Sequence, residues 1–403
     1  MPSHGSRLPK SETTRLKLLD CAVQEILETG PDRLGFTAIA RRAQMSTGAL
    51  YARYENADEL LIDVWLHNCL PALRTLVDET VAAVNQREGS ASLALAARVN
   101  ATEPALVAAV RILTVARRND TLWEVVEPSF RETMSRGIAS APGLPFTAAH
   151  VFGYLIGITG TGMTHLDWFG PLSIAVALAR RVEARPVRSE DLKQWPETPS
   201  EPLGDEIDQR LFAAVSDVIG QVGVDRATVS RIARKAQVNP ASIYMRYEDK
   251  NALVVRVVTI IAEMAVARNQ ELLDGMLDSD QVSRGIQMFR GNASDEYASI
   301  RRLRLETMVA AGYHEELREV ARRTYVGTAA RDAVAVGLEG LAGDQRALPY
   351  ALFMRFMFFG HALLREYGYL AVDDPYADSV FASFGLIMGK LLGQQTGQRV
   401  SGG

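Results

Sequence analysis

Cysteine is nearly absent from this chain of 403 residues, which contains only Cys21 and Cys69. Two cysteines cannot build the disulfide framework that stabilises many small secreted domains. The N-terminal sequence MPSHGSRLPK lacks the apolar stretch that a secretory signal requires. The sequence therefore predicts a cytoplasmic protein in a reducing compartment.

Long hydrophobic runs and aromatic residues are also scarce. The longest weakly polar run, Phe146 to Thr164, includes His150 and four glycines, so it approaches a membrane span in length but not in hydrophobicity. The 4 Trp, 12 Tyr and 13 Phe are few for a β-sandwich. With 47% hydrophobic and 23% charged residues, the chain can nevertheless bury cores, and its length suggests two to three domains. We expect an all-α protein with no membrane span.

Motifs for catalysis and metal binding are missing as well. His165 and Asp167 form a pair without an accompanying Ser or Cys motif. His314 has no second His four residues later, as a helical zinc site would need, and there is no glycine-rich phosphate loop. The sequence predicts no enzyme, no metal and no cofactor.

The chain instead contains an internal repeat, found by sliding the sequence along itself by 193 residues. Without gaps, RLGFTAIARRAQMSTGALYARYENADEL (33–60) matches RATVSRIARKAQVNPASIYMRYEDKNAL (226–253). A weaker match follows at an offset of 195, where TLWEVV (121–126) resembles ELREVA (316–321). Between the copies, residues 184–206 contain four prolines and no helical period, which is typical of a linker. We interpret the chain as two tandem units.

Each unit begins with the pattern of a helix-turn-helix. Leu16, Leu19, Val23 and Ile26 recur at helical spacing, and Gly30 is a suitable helix stop. A short second helix follows with Phe36, Ile39, Ala40 and Ala43 on one face. After a turn of three residues, a third helix is predicted to be capped by Ser46 in the first unit and by Asn239 in the second, where Pro240 takes the first helical position. Three short helices with a tight turn form a helix-turn-helix.

The charge distribution indicates that this motif binds a polyanion. The segment from Arg33 to Tyr54 contains four arginines and no acidic residue, and the segment from Arg226 to Tyr247 contains five basic residues and no acidic one. The chain as a whole has a net charge of -4. Two basic windows at equivalent positions of an acidic chain favour binding of double-stranded DNA at both.

The combined pattern resembles the DNA-binding domain of the TetR family of transcriptional repressors. The shared motif is I-A-x-x-A, a turn, and Y-x-x-[FY]-x-x-K-x-x-L. The second unit has it as Ile232, Ala233, Ala236, Tyr244, Tyr247, Lys250 and Leu253, and the first as Ile39, Ala40, Ala43, Tyr51, Tyr54 and Leu60. The resemblance implies DNA-binding domains at 1–61 and 206–254, helical regulatory domains at 62–183 and 255–395, and a linker at 184–205.

The resemblance also implies which residues contact DNA, with the third helix lying in the major groove. The expected contacts in the first unit are Arg41, Arg42, Thr47, Gly48, Ala49, Tyr51 and Arg53. Those in the second unit are Thr228, Arg234, Lys235, Pro240, Ala241, Ser242, Tyr244, Arg246 and Lys250. The basic residues are expected to contact phosphates and so to add affinity without sequence information.

Three departures from the family pattern concern mainly the first unit. Ala57 replaces the phosphate-binding Lys, and Gly35 replaces the Ser or Thr that usually caps the second helix, which Thr228 retains. Both units have Gln, at 44 and 237, where the turn usually has Gly. A left-handed backbone at a non-glycine residue costs on the order of 1 kcal/mol. The first unit is therefore predicted to bind DNA more weakly.

Members of the family form symmetric dimers on palindromic operators, and a tandem chain can supply both halves itself. We expect an intrachain pseudo-dimer on a non-palindromic operator, because the two predicted recognition helices differ. Further homodimerisation of two chains is left open. The expected bundle helices are 148–165 with 172–183 and 348–367 with 378–392. Gly153, Gly157, Gly160 and Gly162 would allow close helix packing or form a flexible gate.

The regulatory helices are expected to enclose a pocket for a small apolar effector that releases the DNA. Candidate lining residues are Trp123, Phe130, Met163, His165, Trp168, Met308, Tyr325, Phe353, Met357 and His361, although such stripes are also typical of a plain core. The predicted function is a sequence-specific regulator, as a rule a repressor. The alternative is a helical scaffold protein in which one or both helix-turn-helix units no longer bind DNA.

Overall fold

The computed structural model describes residues 9–86, 89–180, 204–276, 286, 289–327 and 348–371. Every element in these ranges is helical and none is a strand, so the predicted all-α class is confirmed. The predicted linker residues up to 203 and the predicted bundle helix 378–392 lie outside the described residues.

The first unit contains ten helices in its described part. They are α1 (Lys10–Thr29), α2 (Phe36–Ala43), α3 (Gly48–Tyr51), α4 (Ala57–Val64), α5 (Leu70–Asn85), α6 (Gly89–Ala101), α7 (Pro104–Ala116), α8 (Asp120–Ser140), α9 (Leu144–Thr161) and α10 (Phe169–Ala179). A 3-10 turn (Pro31–Arg33) follows α1, and a π-helical turn (Trp65–Cys69) joins α4 to α5 without a break.

The second unit repeats this order where it is described. Its helices are α11 (Glu206–Arg226), α12 (Val229–Ala236), α13 (Pro240–Tyr244), α14 (Lys250–Met276), α15 (Ala298–Ala311), α16 (Glu315–Ala321) and α17 (Leu348–Glu366), with a π-helical turn (Arg322–Val326) after α16. Helix α14 runs from the helix-turn-helix into the regulatory part without interruption, as α4 and α5 do in the first unit.

The predicted apolar faces form the cores of the two helix-turn-helix domains. Leu19, Val23 and Ile26 on α1 are buried, and so are all four apolar residues predicted on α2. Gly30 ends α1 with a φ of 83°, and the equivalent Gly223 has a φ of 81° at a kink near the end of α11. Both glycines adopt a backbone conformation that residues with a side chain rarely populate.

The turn after the second helix is left-handed in both units. Gln44 has φ 57° and ψ 44°, and Gln237 has φ 55° and ψ 42°. The position therefore keeps the conformation for which the family pattern uses Gly. Because both Gln side chains are exposed, no buried contact offsets the local strain.

The two units pack against each other chiefly through α9 and α17, and glycines allow this approach. A Cβ on Gly157 would lie 2.6 Å from the Phe356 ring atom Cε2, and one on Gly360 would lie 2.6 Å from the backbone nitrogen of Gly153. A Cβ on Gly160 would lie 2.6 Å from the carbonyl oxygen of Met308. The packing role predicted for the α9 glycines is confirmed at positions 153, 157 and 160, whereas Gly162 ends the helix with a left-handed φ of 70°.

One helix among the described residues, Ala57–Asn85, is long and apolar enough to cross a membrane, with a mean hydropathy of 1.2. Half of its apolar window is buried inside the protein. The pair Gly89–Ala101 and Pro104–Ala116 reaches the same threshold only when taken together across a 76° bend. Core helices of this length have the same composition, so this finding does not by itself indicate a membrane protein.

Candidate nucleic-acid interface

None of the residues that the sequence assigned to DNA is buried in the helix-turn-helix domains. Ala49, Ser242 and Lys250 are half-buried, and the other thirteen are exposed. Tyr51 is 65% exposed and Tyr244 57% exposed, which is unusual for large aromatic side chains. Met245, next to Tyr244, is 86% exposed. Such side chains are available to a ligand of the third helix.

A Tyr–Asp hydrogen bond joins the residues after the third helix to the body of each domain. Tyr54, which follows α3, donates from its hydroxyl to Asp63 Oδ2 on α4 at 2.6 Å, and Arg15 Nε on α1 donates to the same oxygen at 2.9 Å. In the second unit the Tyr247 hydroxyl donates to Asp208 on α11 at 3.2 Å. Asp208 occupies the position of Arg15, so the carboxylate has moved from the fourth helix to the first.

The predicted side-chain caps of the short helices are present in the second unit only. Asn239 Oδ1 accepts from the Ala241 backbone at 2.9 Å, and Thr228 Oγ1 accepts from the Arg231 backbone at 3.2 Å. In the first unit the prediction that Ser46 caps the third helix is wrong. Helix α3 begins one residue later than the motif suggests, Thr47 is its N-cap without a side-chain bond, and Ser46 contributes its carbonyl instead.

Arg41 and Arg234 are the cations best placed for phosphates. They occupy equivalent positions at the end of α2 and α12, they are exposed, and neither forms an ion pair within the described residues. The basic residue that follows each of them in the sequence forms an ion pair. Arg42 binds Glu28 at 2.5 Å, and Lys235 binds Asp217 at 2.9 Å.

The arginines that follow the two recognition helices have different partners. Arg53 donates to the Ser11 carbonyl at 2.9 Å. Arg246 binds Asp205 at 2.7 Å and Asp208 at 3.4 Å. Backbone and side-chain hydrogen bonds, from Asp208 and Arg246 respectively, hold the pKa of Asp205 below its ordinary value, so this carboxylate is charged at neutral pH. A phosphate must therefore compete with two carboxylates for Arg246 but with none for Arg53.

Lys250 is turned towards its own domain. Its Nζ donates to the Val224 carbonyl at 3.2 Å and borders a cleft of about 270 Å³ between the start of α14 and α16. A phosphate contact at Lys250 requires exchange of this hydrogen bond. Ala57 has no side chain that could make the equivalent contact in the first unit.

Two arginines of the basic windows join the units to each other. Arg33 binds Asp225 at 2.7 Å, and Arg226 binds Asp32 at 2.9 Å. Because the two aspartates and the two arginines are each related by the repeat offset of 193, each pair is the counterpart of the other. The carboxylates are only 2% and 5% exposed. This reciprocal exchange is typical of a two-fold interface, in which one patch meets its own copy.

The two helix-ending glycines take part in the same interface. A Cβ on Gly30 would lie 2.5 Å from the Tyr313 ring atom Cζ of the second unit. A Cβ on Gly223 would collide with the Arg118 guanidinium of the first unit. Residues 118 and 313 correspond at the regulatory offset of 195, so this contact is also reciprocal. The sequence pattern identified Gly30 as a helix stop but gave no sign of the cross-unit contact.

The candidate effector residues of the first unit are distributed over its core and surface. Trp123 stacks on Tyr367 of the second unit at 5.1 Å, and Phe130 packs edge-on against the same ring at 4.7 Å. Trp168 is fully buried and lies 5.6 Å from the ring of Phe356. Met163 is half-buried and His165 is exposed.

Two candidates of the second unit line a common space. Met308 and Tyr325 border a cavity of about 10 Å³ between α14, α15 and α16, together with Leu303, Leu317 and Val258. Met357 is buried, His361 borders a separate cavity of about 10 Å³, and the Phe353 side chain lies outside the described residues. A space of that size holds about one water molecule. The described residues contain no group of three His, Cys, Asp or Glu side chains arranged to bind a metal ion.

Comparison with known proteins identifies the two helix-turn-helix domains. The profile of the family described as bacterial regulatory proteins, tetR family, matches residues 18–64 and again residues 211–257. These two matches are offset by the same 193 residues as the internal repeat. A search of curated proteins gave no match. The chain therefore contains two tandem TetR-type DNA-binding domains, which indicate a DNA-binding transcription regulator of the TetR family.

Proposed function

We propose that one chain acts as a pseudo-dimeric repressor on a non-palindromic operator, and that a small apolar effector releases it. Each unit contributes one recognition helix, and the two half-sites lie on one face of the DNA, about one helical turn or a multiple apart. We assign the operator contacts to the sixteen exposed or half-buried residues described above. Binding to chromosomal DNA implies that the protein acts in the cytoplasm.

The reciprocal ion pairs of Arg33 with Asp225 and Arg226 with Asp32 carry the pseudo-dimer proposal. They relate the two helix-turn-helix domains as a two-fold axis relates the subunits of a dimer. The recognition helices themselves differ, since Thr47, Gly48 and Ala49 stand where the second unit has Pro240, Ala241 and Ser242. Two different recognition helices related by a pseudo-two-fold axis favour an operator whose two half-sites differ in sequence.

The cavity beside Met308 supports an effector site that opens on binding. Its volume of about 10 Å³ is far below the roughly 300 Å³ of a small-molecule pocket, so an effector has to separate the helices around it. Val258 and Ile261 of α14 line the cavity, and the same helix begins in the second helix-turn-helix. Displacement of α14 would therefore move that domain relative to the first one. The effector acts because it binds the open state alone.

Charge removal at matched positions tests DNA binding. Arg41→Ala and Arg234→Ala each remove an exposed cation that has no ion pair to lose. Each variant should bind duplex DNA more weakly and lower the slope of log K against log salt by about 0.9. Arg136→Ala, which removes an exposed cation from α8, is the control and should change neither quantity. If Arg41→Ala and Arg234→Ala behave like the control, the helix-turn-helix domains do not bind DNA and the scaffold function takes the place of this proposal.

A further inference from the structure

One part of the interface between the two units carries different charges on its two sides. At the offset of 195, Arg111 of α7 corresponds to Glu306 of α15, Arg117 to Gly312, and Arg118 to Tyr313. All these positions lie where the end of α7 meets the end of α15. Since the residue types differ, the contacts on the two sides of the pseudo-two-fold axis are chemically different.

On one side, the second unit places a carboxylate between two arginines of the first. Glu306 Oε1 accepts from Arg117 at 2.7 Å and from Arg118 Nε at 3.1 Å. The side chains of Arg118 and Glu306 are only 4% and 5% exposed. Burial raises the pKa of Glu306 above its ordinary value, and the two arginines offset only part of this effect. The carboxylate therefore depends on the arginines of the other unit to remain charged.

On the other side, the first unit places Arg111 against the Tyr313 ring, with Arg318 of the second unit nearby as a like charge. Arg111 lies 4.9 Å from the centre of the Tyr313 ring and donates to the carbonyls of Ile26 and Leu27, each at 2.6 Å. No carboxylate among the described residues pairs with it. Burial lowers the pKa of Arg111 to about 10, so the group is still charged at neutral pH.

Pairing of like units would destroy both arrangements. If two first units met through this surface, Arg111 of each would face Arg117 and Arg118 of the other, with no carboxylate in the place of Glu306 and only Asp32 of its own unit paired with Arg118. If two second units met, each Glu306 would face Gly312 and Tyr313 and would lose its hydrogen bonds from Arg117 and Arg118, with Arg318, which donates to the Gly312 carbonyl, as the nearby cation. Buried charges without a partner are strongly destabilising, and like charges in contact add repulsion.

We propose that Arg111, Arg118 and Glu306 restrict this interface to unlike units, so that a first unit accepts only a second unit. The reciprocal pairs of Arg33 and Arg226 remain compatible with any combination, because both units carry the same Asp and Arg there. The two units of one chain thus pair with each other. Two chains do not form the dimer of identical units that an ordinary family member forms. The inference rests on the pseudo-dimer of the proposed function but not on DNA binding.

Replacing a residue of one unit by its counterpart from the other unit creates, inside one chain, the contact that two identical units would make. Tyr313→Arg gives the second unit the residue of the first and places an arginine against Arg111. Arg111→Glu gives the first unit the residue of the second and places a carboxylate against Tyr313. Each single variant should lower the thermal midpoint of unfolding. The double variant creates a second Glu–Arg contact and should recover at least half of the summed loss. A double variant that loses as much as the two singles together would overturn the proposal.

Glu306 provides a second measurement in the same full-length chain. Glu306→Gln removes the carboxylate, and Glu306→Arg also installs the like-unit contact with Arg118. The arginine variant should lower the midpoint clearly more than the glutamine variant, whereas equal losses would contradict charge selection. Glu316→Arg, which inverts an exposed carboxylate on α16, controls for the change in net charge. All these unfolding experiments are done without DNA, so failure of DNA binding and failure of this proposal are separate results.

Discussion

Gly30→Ala tests the contact between the units at a single backbone position. Gly30 has φ 83° and ψ 158°, a region that only glycine populates readily, so any side chain there costs about 1–3 kcal/mol. The added Cβ would also lie 2.5 Å from Tyr313 Cζ. Moving a packed ring out of its place costs a further 1–3 kcal/mol, roughly. The substitution should lower the free energy of unfolding by about 2–6 kcal/mol.

The assay is equilibrium unfolding in urea, and a second substitution separates the two contributions. Tyr313→Ala removes the collision but not the backbone strain, so in a double-mutant cycle the coupling energy should be favourable by about 1–3 kcal/mol. Gly48→Ala is the matched control, because its Cβ would meet only Ser46 Oγ at an ordinary 3.7 Å. A Gly30→Ala variant within about 0.5 kcal/mol of the native chain would refute the proposed geometry. So would strictly additive effects of the two substitutions.

Three other substitutions test separate parts of the account. Glu306→Gln should lower the free energy of unfolding by about 1–3 kcal/mol in urea titrations, because Arg118 and Arg117 lose their shared carboxylate while Asp32 still pairs with Arg118 and Glu366 still lies 3.7 Å from Arg117; a loss below about 0.5 kcal/mol would contradict the buried pair. Asp205→Asn should raise affinity for duplex DNA in fluorescence anisotropy, since it removes the nearer of the two carboxylates that pair with Arg246 while an Asn still caps α11, and unchanged or lower affinity would exclude Arg246 as a DNA contact. Burial opposes ionisation of Asp63, but hydrogen bonds from Arg15 and Tyr54 outweigh it and hold its pKa below the ordinary value. Asp63 therefore contributes stability above about pH 4 that is lost as the pH falls through its folded pKa, so Asp63→Asn should be less stable than the native chain at pH 6, and this difference should shrink as the pH falls below about 4.

The sequence predicted most of the helix-turn-helix because its signals are local. The apolar faces of α1 and α2, the stop at Gly30 and the caps at Thr228 and Asn239 each depend on residues within one helical turn of each other. The prediction that Ser46 caps α3 was wrong for a local reason as well. Without a Pro at the first helical position, α3 begins at Gly48 rather than directly after Ser46.

The ion pairs of the candidate site could not be predicted from the two basic windows alone. An acid-free window at 226–247 does not show that Asp217 binds Lys235 or that Asp205 binds Arg246, because both carboxylates come from α11. Arg33 and Arg226 were counted among the basic residues of the two windows, but they pair across the two units. Only the fold brings these side chains together. The window cations without an ion pair in the described residues are Arg41, Arg53, Arg231 and Arg234, and of these only Arg41 and Arg234 occupy equivalent positions and form no hydrogen bond to a carbonyl.

The contacts between the units left one signal in the sequence that could have been found. At the regulatory offset of 195, Arg111 is replaced by Glu306, a reversal of charge on a helix that is otherwise apolar in the first unit. A buried reversal of this kind between repeats indicates that the two copies are complementary rather than redundant. The size of the effector cavity had no such signal, because it depends on how closely α14, α15 and α16 pack.

The most direct test of the account is selection of binding sites from random duplex DNA by the purified chain at about 0.1 M salt, with the mass of the selected complex measured by light scattering. The account predicts enrichment of two unlike half-sites, one or two helical turns apart, bound by a single chain of 44.1 kDa. A palindrome bound by two chains would contradict it, because only one kind of recognition helix would then contact the operator.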